Sequence, residues 1–311
     1  DSLESGLVLT DGAPEPEASF YQLYNVARVE VLKGPGAFLY GGNPLSGTAN
    51  LVRKKPTFGR FARLHSSYGR FANNRSTIDI GTSTEQLAFR LNGLWQKADN
   101  YRNDKDSQNL AFNPALTWRI NERSTLDINL EYAASEYHAD SGLPIVGGVL
   151  ADVPRKRSYQ TPFDLSEQTT WRLRADYEIR LGADLTLRDK LYYTGLEWPS
   201  QGTLFNGVFP NALGGLDVYR SLLVLDDRQK LLGNQLELLI AKKTGSLEHQ
   251  MLVGFEVSSL SDDYTLDVAG LPPLDLFAAV ETAQKPFFFL PQQATASGNR
   301  KTEKRGQNSR E

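Results

Sequence analysis

Between about residues 61 and 263, apolar and polar positions alternate in runs of roughly nine to fifteen residues, with turn-forming residues between the runs. Residues 171–181 show it most clearly. Trp171, Leu173, Ala175, Tyr177, Ile179 and Leu181 occupy one parity, and Arg172, Arg174, Asp176, Glu178 and Arg180 occupy the other. Residues 125–133 and 87–95 repeat the pattern, as do Phe112, Leu116, Trp118 and Ile120 opposite Asn113, Thr117 and Arg119. A period of two predicts strands with one apolar and one polar face. The runs exceed the ~5–6 residues common in soluble strands and match the ~9–11 that a tilted membrane strand needs. Aromatic residues near the run ends (Tyr68, Tyr101, Tyr132, Tyr137, Trp171, Tyr193, Trp198) fit the interfacial girdles of such a barrel.

The predicted connections alternate in length. Short turns fall at 68–71, 83–86, 121–123, 182–183 and 244–246. Longer loops fall at 99–108, 137–165, 199–225 and from 264 onward. Outer-membrane barrels keep this parity, with short inner turns and long outer loops. The expectation is therefore an all-β membrane β-barrel with about nine antiparallel transmembrane strands visible, and a soluble β-rich sandwich is the alternative. Residues 57–265 are assigned to barrel strands, 266–293 to an extracellular loop and 294–311 to a polar disordered tail.

Composition changes this picture little. Among 311 residues the formal net charge is -3, which offers no general attraction to nucleic acid. The absence of cysteine removes disulfides and thiolate metal sites. Mean hydropathy is -0.41, and no apolar run is long enough for a membrane helix, but an alternating barrel also averages polar. The three histidines, His65, His138 and His249, lie far apart, and no catalytic signature accompanies them. The reading is not an enzyme, with no cofactor and no metal site.

The segment "RVEVLKGPGAFLYGGNPLSGTANLVRKKP", residues 28–56, stands apart. Gly34 and Gly36 begin a dinucleotide fingerprint, but position 39 is Leu. Gly36 and Gly41 have P-loop spacing, but Gly42 and Asn43 replace the required lysine and hydroxyl. Physically it reads as a strand over 26–32, a single helical turn over 37–40 and a second strand over 47–53. The glycines permit close backbone approach.

This segment resembles the C-terminal part of the plug domain of TonB-dependent outer-membrane receptors, with matches at Arg28, Glu30, Lys33, Gly34, Pro35, Leu39, Tyr40, Gly41, Gly47, Asn50, Val52 and Pro56. Downstream, "AFRLNGLWQKADNYRN", "FNPALTWRINERSTLDINLEY" and "LLGNQLEL" resemble early barrel strands of the ferric-siderophore branch. The resemblance implies a small α+β plug over residues 1–56, and then the first of about 22 barrel strands. It implies active uptake of a ferric siderophore, iron entering only as substrate, across the outer membrane of a Gram-negative bacterium. Implied partners are the TonB–ExbB–ExbD complex, acting through an N-terminal segment, and outer-membrane lipid and lipopolysaccharide. By resemblance, Arg28 and Glu30 make ionic contacts between plug and barrel wall, and Gly34, Pro35, Tyr40, Gly41, Gly47 and Asn50 form the plug motif. Aromatic or basic residues on outer loops are candidate ligand contacts: Tyr137, His138, Tyr159, Phe205, Phe209 and Tyr219, together with the apical Glu15–Glu17 region of the plug. The terminal features lead to the expectation that the chain is a fragment unable to transport alone. Alternatives are a receptor for cobalamin, haem or a glycan, or a passive porin-like barrel.

Overall fold

The computed structural model describes residues 7–16, 22–33, 47–102, 105–245 and 247–279, and the backbone of 288–290 and 304–305. Two sheets share the molecule. The small one has the order β2(Ala13–Pro14), β1(Leu7–Thr10), β4(Thr48–Arg53), β3(Val26–Leu32), with a 3₁₀ turn at Leu23–Asn25 leading into β3. β1 and β4 pair in parallel and β3 and β4 antiparallel. Gly47, just before β4, has φ of 138°, and a Cβ there would lie 2.7 Å from the Leu32 carbonyl oxygen. Glycine is needed there so that β3 and the start of β4 can approach. Asn50 ties the sheet together: its Oδ1 accepts from the Gly12 amide and its Nδ2 donates to Glu30, each at 2.9 Å. The expected strands at 26–32 and near 47–53 are present. The expected helical turn, with Gly34, Pro35, Tyr40 and Gly41, lies outside the described residues.

The large sheet is a wall of nine long strands among the described residues, each antiparallel to its sequence neighbour. They are β5(Phe61–Gly69), β6(Asn73–Ser83), β7(Leu87–Ala98), β8(Ser107–Arg119), β9(Ser124–Tyr137), β12(Leu165–Arg180), β13(Leu185–Pro210), β14(Leu216–Thr244) and β15(Leu247–Asp275). A two-stranded hairpin, β10(Ile145–Val146) with β11(Val149–Leu150), sits in the β9–β12 loop. Short segments β16(Phe288–Leu290) and β17(Lys304–Arg305) pair with β15. The rest of the expected tail lies outside the described residues. No helix among the described residues is long and apolar enough to cross a membrane.

The wall's two faces follow the alternation. Leu87, Phe89, Trp95, Phe112, Trp118, Leu130, Trp171, Leu191, Leu232 and Leu236 are exposed on the outer face, as an apolar lipid-facing band requires. Tyr132 and Trp171, directly paired across β9 and β12, stack there with ring centroids 4.4 Å apart. The inner face meets the small sheet and is polar; one rung reads Asn129, Arg174, Tyr192, Gly233, Ser258 across β9 to β15. Gly233 is required by that rung, since a Cβ there would collide with the Tyr192 ring lying across it.

Two expected loops are strand instead. The interval 199–225 is the upper part of β13 and β14, turned by residues 211–215 alone, and β15 continues to Asp275, past the expected loop boundary at 266. β14 and β15 have 29 residues each, far more than a membrane crossing uses. Pro199 and the apolar run Leu222–Leu223–Val224–Leu225 break the period of two, which is why this stretch reads as loop. Cross-strand pairing through Pro199↔Asp226 carries the ladder past the proline. Trp198, expected in the outer girdle, points inward and donates Nε1 to Ser166 Oγ at 2.8 Å.

Candidate functional site

The small sheet is fastened to the inner face by a chain of buried charges. Glu15, 1% exposed, accepts from Arg172 at 2.9 Å and from Arg174 at 2.5 Å. Arg172 also reaches Glu131 at 3.3 Å, and Glu131 accepts the Tyr24 hydroxyl at 3.1 Å and the Asn25 amide at 3.0 Å. Arg53 pairs with Asp11 at 2.6 Å inside the small sheet and donates to Asn129 on the wall. Lys54 approaches Asp79 at 3.5 Å, Lys55 bonds Asp127 at 2.8 Å, and Arg90, paired with Asp79, donates to the Lys55 carbonyl at 2.8 Å. Tyr24 packs on Leu94 and Ala111 of the wall, while Ala13 packs on Tyr192 and Leu231.

Burial pushes the Glu15 carboxyl up, but the Arg172 and Arg174 charges and hydrogen bonds from Arg172 and Thr10 outweigh it. The net effect holds Glu15 below the ordinary carboxylate range. Asp11 behaves alike: Arg53 overcomes the cost of burial by its charge and its backbone and side-chain hydrogen bonds. These acids are therefore ionised partners of the arginines, and the seam is electrostatic with apolar patches.

Arg28 and Glu30 take a different part from the one expected. They pair with each other at 2.8 Å, with Arg28 64% exposed. Positions two apart on β3 share a face, so their side chains meet; among the described residues no ionic contact joins them to the wall. They line an open cleft facing Asp176, Arg188 and Lys190 on β12 and β13. The fasteners are Glu15, Arg172, Arg174, Glu131, Tyr24 and Asn25. Glu15, expected at an apex, is sealed within the seam. The charged alternate face containing Arg172 and Arg174 signals a buried polar wall in the sequence, but Glu15 lies 157 positions from Arg172, so local pattern could not pair them.

Above the seam, the β9–β12 loop covers the opposite face of the β13–β14 ribbon. On β14 the buried parity is odd at Asp227, Gln229 and Leu231, the last packed on Ala13 of the small sheet, and even at Val218, Arg220 and Leu222 above them. β14 has no inserted residue between these positions, so the cover changes sides, not the strand. Tyr159, Val218, Leu274 and Leu276 form an apolar core there, with Phe205 against it. The Tyr159 hydroxyl donates to the Leu276 carbonyl at 2.5 Å, and Arg220 donates to the Tyr159 and Pro272 carbonyls at 2.7 and 2.8 Å. Asp164, wholly buried, accepts from the amide and hydroxyl of Thr161, from the amide and hydroxyl of Thr203, and from Gln160.

The six candidate ligand residues therefore separate. Tyr159, fully buried, and Phe205, partly buried and in edge contact with it at 6.0 Å, pack in the loop core. A bulge between Phe205 and Gly207 adds a residue to β13 and turns Phe209 to the inner face with Tyr219. Tyr137 ends β9, and His138 beside it lies 2.9 Å from Asp106 through Nδ1. The structure brings Phe209 and Tyr219 together and keeps Tyr137 and His138 on a separate loop base.

Comparison with known proteins agrees with this architecture. The family described as TonB-dependent Receptor Plug Domain matches residues 2–48. The metal-pseudopaline receptor CntO of Pseudomonas aeruginosa (strain UCBPP-PA14) is 31% identical over 245 residues, covering 76% of this chain and 34% of that protein. The ferrioxamine B receptor of Salmonella typhimurium (strain LT2) is 26% identical over 276 residues, covering 84% of this chain and 38% of that protein. The open crystal form of the ferric-catecholate import receptor Fiu from E. coli K12 superposes with a TM-score of 0.83 at 20% identity, over 89% of this chain and 46% of that one. The chain thus spans about a third of the length of these curated relatives. A plug-family segment stitched by buried charge into a wall of long antiparallel strands, apolar outside and polar within, makes this chain a member of the TonB-dependent receptors.

Proposed function

We propose that the chain works as part of an outer-membrane, TonB-dependent transporter that takes up a ferric siderophore in a Gram-negative bacterium. The observation that carries this reading is the seam: a plug held against the barrel wall by ion pairs and hydrogen bonds rather than by a continuous apolar core. Such a contact closes the lumen at rest, yet its polar groups can exchange protein partners for water when the plug is pulled, so the cost of opening is far below that of exposing an equal apolar area. The curated relatives named above are receptors for metal–chelate complexes, which favours a chelated metal over cobalamin, haem or a glycan. A passive porin does not need a plug and is disfavoured by residues 7–56. Energy would come from the TonB–ExbB–ExbD complex, and lipid and lipopolysaccharide would contact the apolar outer face.

The test is uptake of radio-iron presented as ferric siderophores by cells that produce the protein in their own outer membrane. Uptake that requires both the protein and a functional TonB supports the reading. Uptake unaffected by loss of TonB, or by loss of the protein, would remove it.

A further inference from the structure

The chain contains two Asn–Gly steps, Asn92–Gly93 and Asn206–Gly207. In such a step the glycine backbone nitrogen can attack the asparagine side-chain carbonyl carbon, since no Cβ on the glycine shields that nitrogen. The two steps stand in different backbone. Asn92 is fully buried and in unbroken register, opposite Asp79 on β6 and Asn113 on β8. Its glycine is packed as closely: a Cβ on Gly93 would lie 2.8 Å from Ile78. Asn206 is the extra residue of the β13 bulge. The register passes from Phe205↔Arg220 to Gly207↔Tyr219 and leaves Asn206 without a place in the ladder. Its side chain is exposed and donates Nδ2 to Ser221 Oγ at 2.7 Å.

Packing fixes the glycine of the second step. Gly207 has φ of 150°, and a Cβ there would lie 2.7 Å from the Phe209 ring, so the fold requires the residue that makes Asn206 reactive. A ladder interrupted at 206 lets the backbone and side chain turn toward each other there, whereas neighbouring rungs must open before Asn92 can do so. A third asparagine sharpens the contrast. Asn211, in the β13–β14 turn, accepts the Leu213 and Gly215 amides on Oδ1, donates Nδ2 to Asp217 and precedes an alanine.

We propose that Asn206 is a site of self-modification by deamidation. The Gly207 nitrogen attacks Asn206 Cγ. The N–Cγ bond forms, the Cγ–Nδ2 bond breaks, and ammonia leaves with the proton from the Gly207 amide. Water then opens the cyclic imide at one carbonyl or the other, giving aspartate or isoaspartate, and no oxidant or cofactor is consumed. Either product places a carboxylate beside Ser221. Isoaspartate also adds one carbon to the main chain at the bulge that sets the direction of Phe209. The change runs one way, needs only time and water, and is independent of which ligand the protein carries.

The experiment incubates outer membranes containing the protein as its cells make it in mildly alkaline buffer, follows barrel integrity by heat-modified mobility on gels, and reads tryptic peptides by mass spectrometry. Cleavage after Lys190 and Arg220 isolates Asn206 and Asn211 on one peptide, and cleavage after Arg90 and Lys97 isolates Asn92 on another. While the barrel is intact, Asn206 is expected to become acid at least about tenfold faster than Asn92, and in urea-unfolded protein the two rates are expected to converge. Fragmentation is expected to place the acid at 206, and isoaspartyl methyltransferase to label part of it. Asn206→Gln, which would have to close a larger and slower-forming ring, is expected to leave the 191–220 peptide unmodified. Equal rates at Asn92 and Asn206 in the intact barrel, acid confined to 211, or an Asn206 that stays an amide until the protein is unfolded would each overturn the assignment. If the glutamine variant loses the barrel, the comparison of the two sites in the unaltered protein decides alone.

Discussion

The lower and upper parts of β14 are covered from opposite sides by different materials. At Leu231 and Gln235 the cover is the plug; at Val218 and Arg220 it is the β9–β12 loop on the reverse face. The plug contact is built from ion pairs shared between two arginines and two glutamates. The loop contact is an apolar core sealed by hydrogen bonds from Tyr159, Arg157 and Arg220 to carbonyls and by one buried carboxylate saturated with donors. Apolar packing resists opening because exposure costs about 25 cal/mol per Å² with no compensation from water. Charged contacts are repaid in part by hydration when they open. The wall therefore carries, on β9 and β12, a contact fit for release and, on the reverse face of the β13–β14 ribbon, a contact fit for permanence.

The largest expected effect breaks the lower contact. Glu15→Ala leaves Arg172 and Arg174 buried without their shared counter-charge and should destabilise plug seating by about 3–5 kcal/mol. Hydrogen exchange should accelerate in residues 7–16 and on β12 while the β9–β12 loop stays protected; an unchanged exchange pattern would refute the assignment. Acid acts on the same contact. Glu15 and Asp11 titrate below their ordinary values of 4.5 and 3.8 in the folded protein. A depressed carboxylate stabilises the fold above its unfolded pKa and loses that contribution as pH falls through its folded pKa. Plug seating should therefore be constant above about pH 5 and loosen only in stronger acid, measured as protease access to the plug across a pH series.

The next effect breaks the upper contact. Asp164→Ala orphans the buried Thr161 and Thr203 amides and should cost about 3 kcal/mol, with faster exchange over 139–164 and none of the plug response. The two lesions lie in separate networks, so the double variant should be additive within about 0.5 kcal/mol in thermal unfolding. Coupling well above that would mean the covers communicate through β14. A smaller loss, about 1 kcal/mol, is expected for Tyr159→Phe, which removes one hydrogen bond to Leu276 while Arg157 retains another. The smallest is expected for Arg28→Ala. An ion pair this exposed contributes between about 0 and 1 kcal/mol, and a loss comparable to that of Glu15→Ala would show that β3 meets a partner beyond the described wall.

Much of the fold was legible because barrel strands impose a strict period of two. Trp171 through Leu181 announced both faces of β12, and the short turns near 84–86, 121–123 and 182–183 fell where the structure has them. Gly47 and Asn50 were legible through motif, and their geometry supplies the reason: a close approach to Leu32, and an amide bridging Gly12 to Glu30. The upper ribbon was not legible. In its upper part both faces of β14 bear leucine, because one is buried by the loop and the other is the apolar inner wall, so alternation vanishes where the strand continues.

Alternation by itself therefore determined the wall and its inward and outward faces, since side chains on a pleated strand have only two directions to take. The Gly47 and Asn50 positions were likewise determined locally, by backbone approach. The partner of Arg172, the burial of Tyr159 and the turning of Phe209 away from Phe205 were decided by tertiary structure alone. The first two depend on segments brought together across more than a hundred positions. The third depends on one extra residue in β13, which no side-chain pattern records and which only the register with β14 reveals.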